Sequence, residues 1–189
     1  MKSDRSLGRR AVFLDRDGVM NKAFIRGGKP YPPQTLAELE IAPGVREGVD
    51  RLRNGGFLLI GATNQPDVAR GLQRREVVEE MNAWLVAELG LDEMRVCWHD
   101  DADGCACRKP KPGLLLDAAR DREIALHLSY MIGDRWRDVE AGQRGGCRTV
   151  WLRMGYDERG PRTPADYVTE RFDQAVDWIL HDGKTRTGV

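Results

Sequence analysis

Ala11-Val12-Phe13-Leu14-Asp15-Arg16-Asp17-Gly18-Val19 runs from four apolar residues straight into two carboxylates. A short apolar run of this kind reads as a strand buried on both faces, whose C-terminal end delivers the polar residues that follow. Gly18 suits the turn that closes it. Taken alone, Asp15 and Asp17 fit either a solvated acidic turn or a pair of groups set for chemistry.

Outward from this stretch the pattern repeats. Pro43 opens a helix expected to reach Arg53, with Gly55-Gly56 as its stop. Phe57 to Ala62 reads as a second buried strand ending at Thr63-Asn64-Gln65. From Arg74 to Leu89 the residues Val77, Val78, Met81, Trp84, Leu85 and Leu89 recur at helical spacing, and Gly90 ends the segment. Trp84, like Trp178 further on, is read as packing rather than as a stacking platform. Met94 to Trp98, Tyr130 to Ile132 and Cys147 to Leu152 predict further strands. Leu114 to Ile124, Asp138 to Arg144 and Phe172 to Leu180 predict helices. This alternation implies an α/β fold, a mostly parallel sheet with helices on both faces and right-handed crossovers. In such sheets ligands bind beyond the carboxyl ends of the strands. Asp15-Arg16-Asp17, Thr63-Asn64-Gln65, Arg108-Lys109 and Asp134 all fall at such ends or on a loop before a helix.

Length and charge narrow the function. A chain of 189 residues is expected to form a single domain spanning 1–189. Its 30 Lys+Arg balance 30 Asp+Glu, so no overall basic field exists to hold a polynucleotide. No apolar run approaches the roughly 20 residues of a membrane helix. Met1 to Arg10 lacks the apolar centre of a secretory signal. The expectation is a cytoplasmic monomer acting on a small molecule, without nucleic-acid or membrane partners. His127 and His181 lie outside every motif and are read as surface or packing residues. Gly183-Lys184-Thr185 imitates the end of a P-loop, but it lacks the leading Gly and follows a helix, so a frayed terminus is expected.

Cys97-Trp98-His99-Asp100-Asp101-Ala102-Asp103-Gly104-Cys105-Ala106-Cys107 places three thiols and one imidazole within eleven residues. Three Cys and one His form the ligand count of a closed structural zinc site. The rival readings are core cysteines clustered by chance and a calcium loop built on Asp101 and Asp103. The second lacks the EF-hand spacing and its closing Glu.

Four short motifs in order give the chain its resemblance to phosphatases of the haloacid dehalogenase (HAD) superfamily. They are Asp15-Arg16-Asp17-Gly18-Val19, Thr63, Lys109 within Cys107-Arg108-Lys109-Pro110-Lys111-Pro112-Gly113, and Gly133-Asp134-Arg135-Trp136-Arg137-Asp138. The match spans Ala11 to about Leu152. The resemblance implies a HAD-like Rossmannoid fold and a catalytic Mg²⁺ held by Asp15, the Asp17 backbone carbonyl and Asp134. Asp138 would anchor that shell from outside. Asp15 would be the nucleophile, and Asp17 the general acid and then base. Lys109 and Thr63 would stabilise the transferring phosphoryl group. For Lys109 the bland alternative is a solvated loop lysine, which Pro110 and Pro112 argue against by stiffening its segment.

The zinc loop just before Arg108-Lys109-Pro110 resembles the superfamily branch of D-glycero-D-manno-heptose 1,7-bisphosphate phosphatases and histidinol-phosphate phosphatases, in which the metal is structural. Fixing Cys107 would fix Arg108 and Lys109 beside it. Two departures weaken the transfer of substrate identity. Only five residues separate His99 from Cys105, and Ala23-Phe24-Ile25-Arg26-Gly27-Gly28-Lys29-Pro30 replaces a short acidic, His-containing stretch. The 47 residues between Asp15 and Thr63, and 45 between Thr63 and Lys109, leave no room for a large cap. Substrate contacts are therefore expected from short loops, with Arg26, Asn64, Gln65, Arg108 and Arg135 as candidates and Arg108 foremost. The implied activity is hydrolysis of a small sugar phosphate, a heptose bisphosphate first and histidinol phosphate second. A catalytically silent zinc-stabilised binding protein and a polynucleotide end-phosphatase are the readings from other classes.

Overall fold

The computed structural model describes residues 8–187. Residues 1–7, which carry most of the segment read for a leader, lie outside the described residues. Six strands form one sheet, parallel throughout: β1 (Ala11–Leu14), β4 (Leu58–Asn64), β5 (Glu93–Cys97), β6 (Tyr130–Gly133), β7 (Arg148–Leu152) and β8 (Tyr167–Thr169). Their spatial order is β5-β4-β1-β6-β7-β8. The chain therefore builds outward from β1 in one direction, then returns to β6 and builds in the other. The crevice at that reversal is where such sheets bind ligands. β8 was not foreseen; three residues with no apolar run give no periodic signal.

Side chains alternate across the sheet and so divide the core in two. Val12 and Leu14 join Leu59, Ile132 and Val150 in one buried cluster, whereas Ala11 and Phe13 join Leu58, Ile60, Ala62 and Met131 in the other. The first cluster is covered by α1 (Val45–Asn54), α3 (Arg75–Leu89) and α6 (Phe172–Thr187), through Val49, Leu52, Met81, Leu85, Val176 and Ile179. The second is covered by α4 (Gly113–Arg122) through Leu114, Leu115 and Ala118. α5 (Trp136–Gly145) lies against the same side, where Gly142 packs closely on Met131 and Thr149. Trp84 and Trp178 are half-buried against the first cluster, and His127 and His181 are exposed.

Two expectations are corrected. Gly183-Lys184-Thr185 is not frayed: α6 continues through it, and Gly183 is buried close to Phe57 and Tyr130. Arg26, expected on a short loop, lies instead in an antiparallel hairpin of β2 (Phe24–Arg26) and β3 (Lys29–Tyr31). Gly27 and Gly28 both take positive φ, 55° and 74°, as a tight hairpin turn between twisted strands requires. No helix among the described residues is long and apolar enough to cross a membrane. The short helix α2 (Pro66–Ala69) follows β4 directly.

Candidate active site

The carboxyl ends of β1, β4 and β6 deliver Asp15, Thr63 and Asp134 to one edge of the sheet. The Asp15 N–H donates to the Ile132 carbonyl at 3.0 Å, extending the strand pairing by one residue and fixing where the side chain emerges. Lys109 arrives from the loop before α4. Its backbone is clamped by Asn64, whose Oδ1 accepts from Lys109 N and whose Nδ2 donates to Lys109 O, each at 3.0 Å. Lys109 Nζ then makes three short contacts: Asp15 Oδ1 at 2.7 Å, Asp138 Oδ1 at 2.6 Å and the Ala62 carbonyl at 2.7 Å. The Lys109 side chain retains only 2% exposure. A solvated loop lysine is thereby excluded.

Charge at this point is dense and dry. Burial pushes the Asp15 carboxyl up to about 6, with Lys109 pulling it down and Asp138 adding to the rise. Burial opposes the charge on Lys109, but Asp138 and Asp15 outweigh it and hold the ammonium above its ordinary value. Asp134 is raised well above the ordinary carboxylate range by burial and by its neighbours Asp15 and Asp138. Lys109 touches Asp15 and Asp138 but not Asp134, and one oxygen of each of these three carboxylates lies within 4.8 Å of the others. The cluster is short of positive charge.

The shortage is visible atom by atom. Asp134 Oδ2 accepts from Tyr156 Oη at 2.7 Å, whereas Asp134 Oδ1 is buried without any partner among the described residues. A buried carboxylate oxygen left unpaired is costly unless a cation completes it. Gly18 keeps the space open: at φ +88° it passes so near that a Cβ would stand 1.9 Å from Asp134 Oδ2 and 2.8 Å from Tyr156 Oη. Hard oxygen donors around a charge deficit suit a divalent ion such as Mg²⁺. Asp15, Asp134 and Asp138 are the side chains grouped for it.

Asp17 faces the same cavity from a different direction. Arg16, fully buried, forks onto its carboxylate from Nε at 3.1 and 3.2 Å and from Nη2 at 3.0 Å. Asn21 Nδ2 donates at 3.1 Å and Gln65 Nε2 at 2.9 Å. Gln65 Nε2 also donates to Thr63 Oγ1 at 2.9 Å, so one amide aligns the motif after β1 with the motif after β4. Asn64 and Gln65, candidates for substrate contact, thus spend their amides on holding Lys109, Asp17 and Thr63.

The other candidates separate. Asp15, Asp17, Thr63, Asn64, Gln65, Lys109 and Arg135 line one cavity of about 200 Å³. Arg135 does so while bound to Glu158 at 3.0 and 2.6 Å. Arg108 is directed away: its Nε donates to Asp101 at 2.8 Å and its Nη1 to the His99 carbonyl at 3.2 Å, and it does not line the cavity. Arg26 lies on the exposed hairpin over the Tyr31 ring. Arg70 and Arg137, missed in the sequence, do line the cavity, as does Tyr31 from β3. Arg137 stands two positions past Arg135, where motif spacing could have found it. Tyr156 follows Asp134 by 22 residues in irregular chain, with no pattern to betray it.

Beside this cavity the Cys/His loop closes on itself. Cys97 Sγ lies 3.2 Å from Cys107 Sγ, 3.7 Å from Cys105 Sγ and 3.7 Å from His99 Nδ1. Cys107 Sγ is 3.5 Å from Cys105 Sγ and 3.4 Å from His99 Nδ1. A tetrahedral ion with metal–sulfur distances of about 2.3 Å sets its ligands about 3.7 Å apart, so the four atoms stand near the corners of such a shell. Burial holds the Cys97 thiol above its ordinary pKa. Cys97 ends β5 and its carbonyl accepts from Gln65 N at 2.8 Å, which ties this loop to the phosphate-side loop after β4. Chance clustering of core cysteines does not account for the exposed imidazole aimed at three thiols.

Comparison with known proteins agrees with this geometry. The family model described as HAD-hydrolase-like matches residues 106–175. A D-glycero-beta-D-manno-heptose-1,7-bisphosphate 7-phosphatase of Helicobacter pylori is 37% identical over 177 residues, covering 90% of this chain and 97% of its own. One from Pseudomonas putida is 35% identical over 170 residues, covering 86% and 93%. The crystal structure of D,D-heptose 1,7-bisphosphate phosphatase from B. bronchiseptica, complexed with magnesium and phosphate, superposes with a TM-score of 0.72 at 27% identity, over 92% of this chain and 99% of its own.

Proposed function

The chain belongs to the heptose-1,7-bisphosphate 7-phosphatase family of HAD-like hydrolases, and on that premise we propose that it removes one phosphate from a D-glycero-D-manno-heptose 1,7-bisphosphate through Asp15. The observation that carries the reading is the contact of Asp15 Oδ1 with Lys109 Nζ at 2.7 Å, on the cavity floor shared with Asp17 and Thr63. Lys109 holds one carboxylate oxygen and leaves the other to attack phosphorus.

Attack forms a bond from Asp15 Oδ to phosphorus and breaks the bond from phosphorus to the sugar oxygen, while Asp17 gives that oxygen its proton. Asp17 then takes a proton from water, whose oxygen attacks phosphorus and releases phosphate as Asp15 returns to a carboxylate. Thr63 and Lys109 face the phosphoryl oxygens throughout. Gln65 keeps Thr63 and Asp17 in mutual register. Mg²⁺, held by Asp15, Asp134 and the Asp17 backbone carbonyl, supplies positive charge and orientation to the phosphoryl group when bound. Asp138 braces that shell from outside, through Lys109. The unpaired Asp134 Oδ1 supports this assignment. Cys97, His99, Cys105 and Cys107 would hold zinc in a structural role, fixing the strand end and the loop that carries Lys109.

The cavity rim carries Arg70, Arg135 and Arg137. Guanidiniums favour a substrate with a second anion over histidinol phosphate, which carries an ammonium and an imidazole but no second anion. Phosphate release should be measured across both heptose bisphosphate anomers, histidinol phosphate and common sugar monophosphates. The expected result is a kcat/KM for a heptose bisphosphate at least tenfold above all others; equal or faster turnover of histidinol phosphate rejects the assignment.

A further inference from the structure

Two of the three cavity arginines are held from behind by the Cys/His loop. Asp100 accepts from Arg70 Nε at 2.8 Å and Nη2 at 2.6 Å. Asp101 accepts from Arg137 Nη1 at 3.0 Å and, on the same oxygen, from Arg108 Nε at 2.8 Å. Asp101 opens a short helical turn, Asp101–Asp103, and Asp100 caps it, locked in place: Asp100 N donates to Asp103 Oδ2 at 2.7 Å and Asp100 Oδ1 accepts from Asp101 N at 2.7 Å. Arg70 and Arg137 line the cavity; Asp100 and Asp101 do not. Asp100 and Asp101 therefore stand outside, whereas Asp67, which bonds Arg70 Nη1 at 3.3 Å, lines the cavity beside the two arginines, leaving Arg137 as the arginine with donors free on the cavity side.

That polarity differs from a simple surface ion pair, in which both partners face solvent. A guanidinium carries five donors, and the bond to Asp101 engages Nη1 of Arg137 alone, leaving Nε and Nη2 for ligand oxygens. The reacting phosphoryl group is already served by Lys109 and Thr63, so these arginines answer a different anion. Resting on the bisphosphate reading above, we propose that Asp100 and Asp101 are positioning residues that hold Arg70 and Arg137 as a subsite for the substrate's second, uncleaved phosphate. The Cys/His loop then serves both phosphates: through Cys107 it places Lys109 for the one that reacts, and through Asp100 and Asp101 it places the arginines for the one that does not.

The test compares wild type, Asp101→Asn, Arg137→Gln and Arg137→Lys, each with zinc bound, on heptose 1,7-bisphosphate and heptose 7-phosphate. Asp101 is more than half exposed, and its substitution leaves the core intact. The quantity read is the ratio of the monophosphate KM to the bisphosphate KM. It should fall about tenfold in Asp101→Asn and Arg137→Gln, the equivalent of one charge-assisted hydrogen bond, with kcat on the bisphosphate within about threefold and partial recovery in Arg137→Lys. An unchanged ratio, or KM values rising in parallel for both ligands, overturns the proposal. If neither heptose phosphate is turned over by the wild type, the heptose reading has failed by itself. Inhibition of p-nitrophenyl phosphate hydrolysis by fructose 1,6-bisphosphate against fructose 6-phosphate then supplies the same ratio. Its loss in the variants sustains the subsite; its persistence rejects it.

Discussion

Tyr156 Oη donates to Asp134 Oδ2 at 2.7 Å, and this bond turns the other carboxylate oxygen, Oδ1, toward the charge deficit beside Asp15. Burial and the adjacent carboxylates keep the phenol above its ordinary pKa, so it stays a donor across the working pH range. A residue from irregular chain thus orients a strand-end carboxylate. Tyr156→Phe should raise the Mg²⁺ concentration for half-maximal activity about tenfold, the usual effect of losing an outer partner of a metal ligand. An unaltered Mg²⁺ titration would show that Asp134 needs no such support.

Lys109→Ala should cost more than activity. With the ammonium gone, Asp15 and Asp138 are left buried without compensation, which destabilises by about 3–5 kcal/mol. Denaturant unfolding without Mg²⁺ measures the loss, and added Mg²⁺ should restore part of it but none of the turnover. Full stability in the variant would mean that the carboxylates simply take up protons.

Acidity gives a third check. Asp15 stands at about 6 in the fold against 3.8 ordinarily, so its protonation favours the folded protein. That contribution is fully present below 3.8 and is lost as pH rises through about 6. On the proposed assignment, Mg²⁺ takes the ionised site. The rise in Tm on adding Mg²⁺ should therefore be largest above about pH 7 and shrink steadily below about 6. A pH-independent rise would place the ion elsewhere.

Zinc content is the fourth. Wild-type protein should carry stoichiometric zinc, and Cys107→Ser should lose it together with thermal stability, each kcal/mol lost lowering Tm by about 2–4 °C at this length. Well-folded wild-type protein free of zinc would remove the metal from the account.

Much of this site was legible because its chemistry is written in short motifs at strand ends. Asp15, Thr63 and Asp134 follow apolar runs, and position after a run is a local property. Cys97, His99, Cys105 and Cys107, clustered in space, lie within eleven residues, again local. Lys109 required the motif around it, since nothing in its own neighbours says that its ammonium crosses to Asp15. Orientation was not legible. Arg108 looked like the substrate arginine from its place beside Lys109, yet Asp101, seven residues earlier, draws it away from the cavity. Arg70 and Arg137 face inward for a related reason, because Asp100 and Asp101 hold them from behind. Tyr156 depends on how the irregular chain after β7 folds back over the sheet edge, 22 residues beyond Asp134, and no periodicity encodes that. The hairpin β2–β3 escaped notice because its strands are three residues long, although its Gly27-Gly28 turn was in plain view.

The account's central claim is that Asp15 takes the phosphoryl group from a heptose bisphosphate. The most direct measurement is mass analysis of the acid-quenched enzyme during turnover of D-glycero-D-manno-heptose 1,7-bisphosphate with Mg²⁺. The predicted result is one added phosphoryl group on the peptide containing Asp15, absent from an inactive but folded Asp15→Asn variant. Phosphate release with Asp15 unmodified at every time point, or sustained turnover by Asp15→Asn, would contradict it.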